Sequence, residues 1–234
     1  MEKYLDKLID NRNLKLWDEL NEKFEFILIE SPEPNYMSRL DGEIATICIY
    51  ENDINPAYFT HELLHIFLKF KGVQIVSDFY SIIDSNPDIH YFFSTDLKSH
   101  VTNCLEHNLM LPIYLSLGFE NHYFISDYKE RKMNNKLMSS LQERYRINGT
   151  YDREAIDFYI GKFFAMKTCN NKSFNYSKYY NSFIKLDKKL FKTLNDFWND
   201  WETYDLKDSN DNYDEILEYF IEDLNDWQNK KNII

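Results

Sequence analysis

The chain has 234 residues, of which 44% are hydrophobic and 28% are charged, proportions typical of a globular protein with a substantial core. Its formal net charge is −12 at pH 7, and no Lys/Arg cluster stands free of acidic neighbours. We therefore expect no nucleic-acid partner, because phosphate binding requires clustered positive charge. No apolar run approaches membrane-spanning length, which also predicts no membrane partner.

The cysteines and the N-terminal residues indicate a cellular location. Cys48, Cys104 and Cys169 form no Cys-x-x-Cys pair and are odd in number, as expected of free thiols in a reducing compartment. The first residues lack the apolar core of a signal peptide. We expect a cytoplasmic protein, and the sequence leaves its oligomeric state open.

The first fifty residues predict helix followed by strands. Residues 3–22 have an amphipathic helical pattern with a possible break near residues 11–13. Residues 24–29 and 44–50 are apolar and rich in β-branched side chains, which favours two strands. Residues 31–35 contain two prolines and predict a turn between them.

A well-marked helix is predicted from Pro56 to about residue 71. Asn55 can cap its first turn, Pro56 suits the first helical position, and Gly72 can end the helix in a left-handed conformation. This helix carries His61, Glu62 and His65, a His-Glu-x-x-His motif. Histidines four residues apart lie on one helical face, so both can bind a single Zn²⁺. The alternative is an incidental histidine pair without metal, in a protein whose helices mediate assembly.

A second long helix is predicted over residues 97–117, capped by Ser94, Thr95 or Asp96 and ended by Gly118. We expect residues 73–76, before it, to close the sheet or begin a loop. A catalytic zinc has three protein ligands and one open position, and this helix is the later segment with several zinc-competent side chains. The candidates for the third ligand are His100, Glu106 and His107.

Amphipathic helices are predicted at residues 127–147, 151–168, 176–197 and 212–229. The predicted fold class is α+β: a small sheet with the motif helix and the ligand helix, followed by a mostly helical C-terminal half. The predicted domains are residues 1–125 and 126–234, with one continuous domain as the alternative.

The motif helix and the segment from Asn103 to His107 together resemble the zincin metallopeptidases, in particular compact bacterial gluzincin-like proteins, over residues 24–125. The resemblance implies that Glu106 is the third zinc ligand, with His107 or Asn103 beside it. It also implies that residues 44–50 form the edge of the cleft, where an extended peptide would pair, although an internal strand is an alternative. Residues 109–112 also resemble ImmA/IrrE-type regulatory peptidases, an alignment that would place the third ligand nearer His100.

The sequence thus predicts a zinc metallopeptidase acting on peptides or proteins. Its metal ligands would be His61, His65 and Glu106, Glu62 would be the general base, and His107 would assist catalysis. Candidates for stabilising the oxyanion are His107, His122 and Tyr114. The alternative function is a non-catalytic zinc-binding sensor or protein-interaction module on a zincin-like fold.

Overall fold

The computed structural model describes residues 2–208, 212–229 and 231–233. The fold is α+β with a helical C-terminal half, as predicted. The chain divides into two compact units. The first consists of Met1–Gln74 and Asn108–Lys129, and the second of Ile75–His107 and Glu130–Ile234. The proposed domain division at residue 125 stays a prediction.

The first unit combines a three-stranded sheet with helices. The predicted break near residues 11–13 is confirmed, since two short helices occupy the N-terminal segment. In chain order the elements are α1 (Glu2–Leu8), α2 (Leu14–Asn21), β1 (Glu25–Ser31), β2 (Met37–Asp41), β3 (Ile44–Tyr50) and α3 (Pro56–Phe70).

The sheet has the order β1-β3-β2, with β1 parallel and β2 antiparallel to β3. The prediction that residues 44–50 form a sheet edge is therefore wrong, and the internal alternative is confirmed. Strand β2 was not predicted from the sequence. It lies at one edge of the sheet and is joined to β3 by a tight turn. Gly42 has a φ of +59° in that turn, a backbone conformation that glycine adopts without a steric penalty.

Local signals define α3 as predicted. The side chain of Asn55 accepts a hydrogen bond from the backbone N–H of Ala57 at 2.9 Å, and Pro56 occupies the first turn. Gly72 follows the helix with a φ of +86°. Trp17 of α2 packs on Phe26 of β1 and Phe59 of α3, with ring centroids 4.6 and 5.7 Å apart. One face of α3 is thereby fixed in the core of the unit.

Helix α6 (Thr95–Ser116) is the predicted second long helix, and it passes from the second unit into the first after His107. The Ser94 hydroxyl accepts from the N–H of Leu97 at 3.0 Å, so Ser94 is its cap. Pro112 lies inside the helix, and Gly118 follows it with a φ of +90°. The first unit ends with a short 3-10 turn, Asn121–Tyr123.

The second unit is mostly helical. Besides the first part of α6, its elements are α4 (Ile75–Asp84), α5 (Pro87–His90), α7 (Asn135–Arg144), β4 (Arg146–Ile147), β5 (Thr150–Tyr151), α8 (Arg153–Lys167), α9 (Ser177–Leu186), α10 (Lys188–Trp201) and α11 (Asp214–Gln228). Of residues 73–76, which were expected to close the sheet or begin a loop, the first two are a short connection and the last two begin α4. Residues 127–147 are helical only over α7, and residues 176–197 are divided between α9 and α10.

The division between α9 and α10 is made by Asp187, a buried carboxylate. Its oxygens accept from the backbone N–H of Leu190 at 2.9 Å, the indole of Trp227 at 2.9 Å, Lys231 at 2.8 Å and the Tyr145 hydroxyl at 3.1 Å. Burial raises the pKa of Asp187, but the donors from Leu190, Lys231 and Trp227 outweigh it and lower the pKa. Asp187 thus stays ionised and joins α10 to the C-terminal helix.

Among the residues described, no helix combines the length and apolar character needed to cross a membrane.

Candidate metal centre

The structure places the two histidines of the motif side by side on α3. The Nε2 atoms of His61 and His65 are 3.2 Å apart, and their rings meet nearly edge to face with centroids separated by 5.0 Å. This arrangement follows from helical geometry, because residues four apart are neighbours on one face.

His107 of α6 completes a group of three. His61, His65 and His107 each offer a ring nitrogen, and these three atoms lie within 4.8 Å of one another. All three residues are half-buried. It is the one group of three or more metal-competent side chains found in the described part of the chain.

The spacing of the His61 and His65 nitrogens is close to that of two ligands of tetrahedral zinc. A Zn–N distance of about 2.0–2.1 Å and a tetrahedral angle imply nitrogen atoms about 3.3–3.4 Å apart. The Nε2 atoms of His61 and His65 are 3.2 Å apart, which is close to this value, so the pair needs little adjustment to bind an ion. A shared proton between the two imidazoles is the metal-free interpretation of the same short distance.

The other two candidates for the third ligand, Glu106 and His100, are not members of this group. Glu106 is 5% exposed on α6 but is not a member of the histidine group. It adjoins His107 in sequence, and adjacent helical positions point about 100° apart. His100 Nε2 lies 3.0 Å from the carbonyl oxygen of Gly161, and Cys104 Sγ lies 3.7 Å from the same nitrogen. Of the three candidates for the third ligand, His107 is the one that belongs to the histidine group.

Glu62, the predicted base, is 7% exposed and receives a hydrogen bond from the edge strand. The hydroxyl of Ser38, in β2, donates to Glu62 Oε2 at 2.7 Å. A short hydrogen bond to a carboxylate restricts its orientation. Glu62 therefore has a defined position beside His61.

The back of α3 is held by a buried polar contact. The Asn13 side chain, between α1 and α2, donates to the Leu8 carbonyl and to the Thr60 hydroxyl, both at 2.9 Å. Thr60 in turn donates to the carbonyl oxygen of Pro56. On the front, the ring of Phe124 packs on His61 with centroids 4.8 Å apart. These contacts restrict the rotation of α3 and the position of the first ligand.

The oxyanion candidates differ in environment. His122 is exposed and lies 3.3 Å from the carboxylate of Glu120. Tyr114 is fully buried between Phe119 and Phe124, and no hydrogen-bond partner for its hydroxyl is found among the described residues. Burial raises the pKa of Tyr114 well above its usual value, so this hydroxyl stays a neutral donor.

Sequence reasoning missed two contributors to the site, Ser38 and Phe124. Ser38 lies in a strand with little apolar character, although the Asp41-Gly42 dipeptide after it is a hairpin signal that could have located the strand. Phe124 lies outside helix and strand, and no periodic pattern marks it. Both reach the site only through tertiary packing.

Comparison with known proteins identified no matching family model, no similar curated protein and no similar solved structure.

Proposed function

We propose that the protein is a zinc-dependent metallopeptidase, with His61, His65 and His107 as the metal ligands and Glu62 as the general base. One observation carries the proposal: three histidine nitrogens converge beside a buried, hydrogen-bonded glutamate. Three protein ligands with a fourth position left for water are the pattern of catalytic rather than structural zinc. This pattern favours an enzyme over a zinc-binding sensor.

When bound, zinc would lower the pKa of a coordinated water towards neutral and polarise the carbonyl of the scissile peptide bond. Glu62 accepts the proton that the attacking water loses as its oxygen bonds to the carbonyl carbon. The same carboxyl group then transfers this proton to the amide nitrogen, so that the C–N bond breaks and a neutral amine leaves. The Ser38 hydroxyl orients Glu62 for both transfers.

The edge strand β2 supports a peptide or protein as the substrate. One side of β2 pairs with β3, and its other side is a sheet edge with backbone groups available to an extended chain. Ser38 belongs to this strand and contacts Glu62, so a peptide paired with β2 would pass the proposed base.

We further propose a cytoplasmic location, because Cys48, Cys104 and Cys169 form no disulfide bonds.

The test has a metal arm and an activity arm. The purified protein should contain about one zinc per chain by elemental analysis, and the His61→Ala/His65→Ala double variant should contain none. Glu62→Gln should retain zinc but no longer hydrolyse peptides that the wild type cleaves, because an amide cannot accept the proton. Glu143→Gln, at an exposed position of α7, is the matched control and should keep both properties. Undiminished zinc in the double variant would overturn the proposal.

A further inference from the structure

Three tyrosines form a continuous aromatic surface in the first unit. Tyr58 lies in the middle, with its ring centroid 5.6 Å from Tyr36 and 5.9 Å from Tyr123. All three residues are half-buried, so each keeps part of its surface exposed to solvent. We call Tyr36, Tyr58 and Tyr123 the tyrosine wall.

Each member of the wall is a near neighbour in sequence of a residue at the candidate metal centre. Tyr58 lies one helical turn before Glu62, on the same face of α3. Tyr36 is two residues from Ser38, which donates to Glu62. Tyr123 is followed by Phe124, whose ring packs on His61. Tyr58 is thus one helical turn from the proposed base, and its two partners are within two residues of side chains that contact Glu62 or His61.

The wall is held rigidly at one end. The Tyr36 hydroxyl donates to the backbone carbonyl of Asp53 at 2.7 Å and accepts from the N–H of Asn55 at 3.1 Å. Because Asn55 is also the cap of α3, the ring is tied to the start of the motif helix. A fixed ring binds a ligand without a large loss of side-chain entropy.

The surroundings of the wall are negatively charged. Burial is the main cause that raises the pKa of Tyr36 to about 12, and the charge of Asp53 contributes. Burial and then Asp53 likewise raise the pKa of Tyr58. Glu120 lies close by, since it contacts His122, whose ring is tilted against that of Tyr123 with centroids 4.0 Å apart. A cation placed on the wall would meet both aromatic faces and carboxylates.

We propose that the tyrosine wall is a specificity subsite that binds a lysine or arginine side chain of the peptide substrate close to the scissile bond. This inference rests on the proposed peptidase function and adds its substrate class. A cation over a tyrosine face gains about 0.5–2 kcal/mol, depending on its desolvation. The exposed Asp53 carboxylate adds attraction, and the net charge of −12 favours the approach of basic peptides.

Binding of tripeptide hydroxamates to the zinc-loaded protein tests the inference. The hydroxamate group binds zinc, and lysine, norleucine or glutamate is placed at each position in turn. Titration calorimetry should show that lysine at one position binds about 2- to 30-fold more tightly than norleucine, the ratio that corresponds to the cation–aromatic energy. Glutamate at that position should bind most weakly.

Variants assign the preference to the wall. Tyr58→Leu and Asp53→Asn should each reduce the lysine-to-norleucine ratio, whereas Glu143→Gln, an exposed charge change on α7, should leave it unchanged. Far-UV circular dichroism verifies that each variant is folded. A lysine-to-norleucine ratio near one at every position would overturn the subsite but leave the zinc centre standing. Failure of all hydroxamates to bind the zinc-loaded protein would overturn the peptidase proposal itself.

Discussion

Replacement of His107 by alanine should weaken zinc binding far more than replacement of its neighbour Glu106. Zinc binds four-ligand structural sites with about 10–16 kcal/mol, which is roughly 2.5–4 kcal/mol per ligand. At 1.4 kcal/mol per tenfold change, loss of one imidazole should cost roughly 100- to 1,000-fold in affinity. Glu106 is outside the histidine group, so Glu106→Gln should cost less than about tenfold.

Competition with a chromophoric chelator at fixed pH measures both affinities. Glutamine preserves the volume of the buried Glu106 side chain, and alanine is favourable inside α6, so neither change should prevent folding. His100→Ala serves as a second comparison, because His100 contacts Gly161 instead. Near-wild-type affinity in His107→Ala, together with a 100-fold loss in Glu106→Gln, would refute the assignment and restore the ligand set implied by the gluzincin resemblance.

Three further predictions follow from individual contacts. Ser38→Ala should keep zinc but lower kcat/KM about tenfold or more, because Glu62 loses the hydroxyl that orients it. Ser38→Thr retains a hydroxyl and should recover part of the lost kcat/KM. Wild-type turnover in Ser38→Ala would exclude this role for Ser38. Asn55→Ala should lower the free energy of unfolding by about 1 kcal/mol, measured by thermal unfolding, because the first turn of α3 loses its cap. Asn55→Asp can still cap the helix and is the control. Equal stability of Asn55→Ala and the wild type would contradict this role. Asp187→Ala should cost about 3–5 kcal/mol, against less than about 0.5 kcal/mol for Asp196→Ala on the exposed side of α10. Since the native pKa of Asp187 is lowered, its contribution should be present above about pH 4 and should disappear as the pH falls through the native pKa; a pH-independent difference would contradict this.

The elements that local chemistry specifies were predicted well. Helix α3 has its own start and end signals in Asn55, Pro56 and Gly72, and the structure uses all three. The spacing of His61 and His65 on one face follows from helical geometry alone. These features depend on residues within a few positions of one another, so the sequence contains the information directly.

The features that were missed depend on tertiary packing. His107 belongs to the histidine group and Glu106 does not, and spacing alone cannot distinguish two adjacent positions on one helix. Strand β2 was missed because its side chains are mostly polar or charged, and without it β3 was taken as a sheet edge. The boundary at Asp187 was missed because no glycine or proline marks it, and its role depends on partners distant in sequence.

The most direct test of the proposed zinc site is a crystal structure of the zinc-loaded protein with diffraction data collected at the zinc absorption edge. We predict one anomalous peak, from a zinc ion bound by imidazole nitrogens of His61, His65 and His107 at about 2.0–2.1 Å. A non-protein ligand should occupy the fourth position, and Glu62 should lie beside the ion without binding it. A zinc ion bound at other residues, or four protein ligands that close the site, would contradict it.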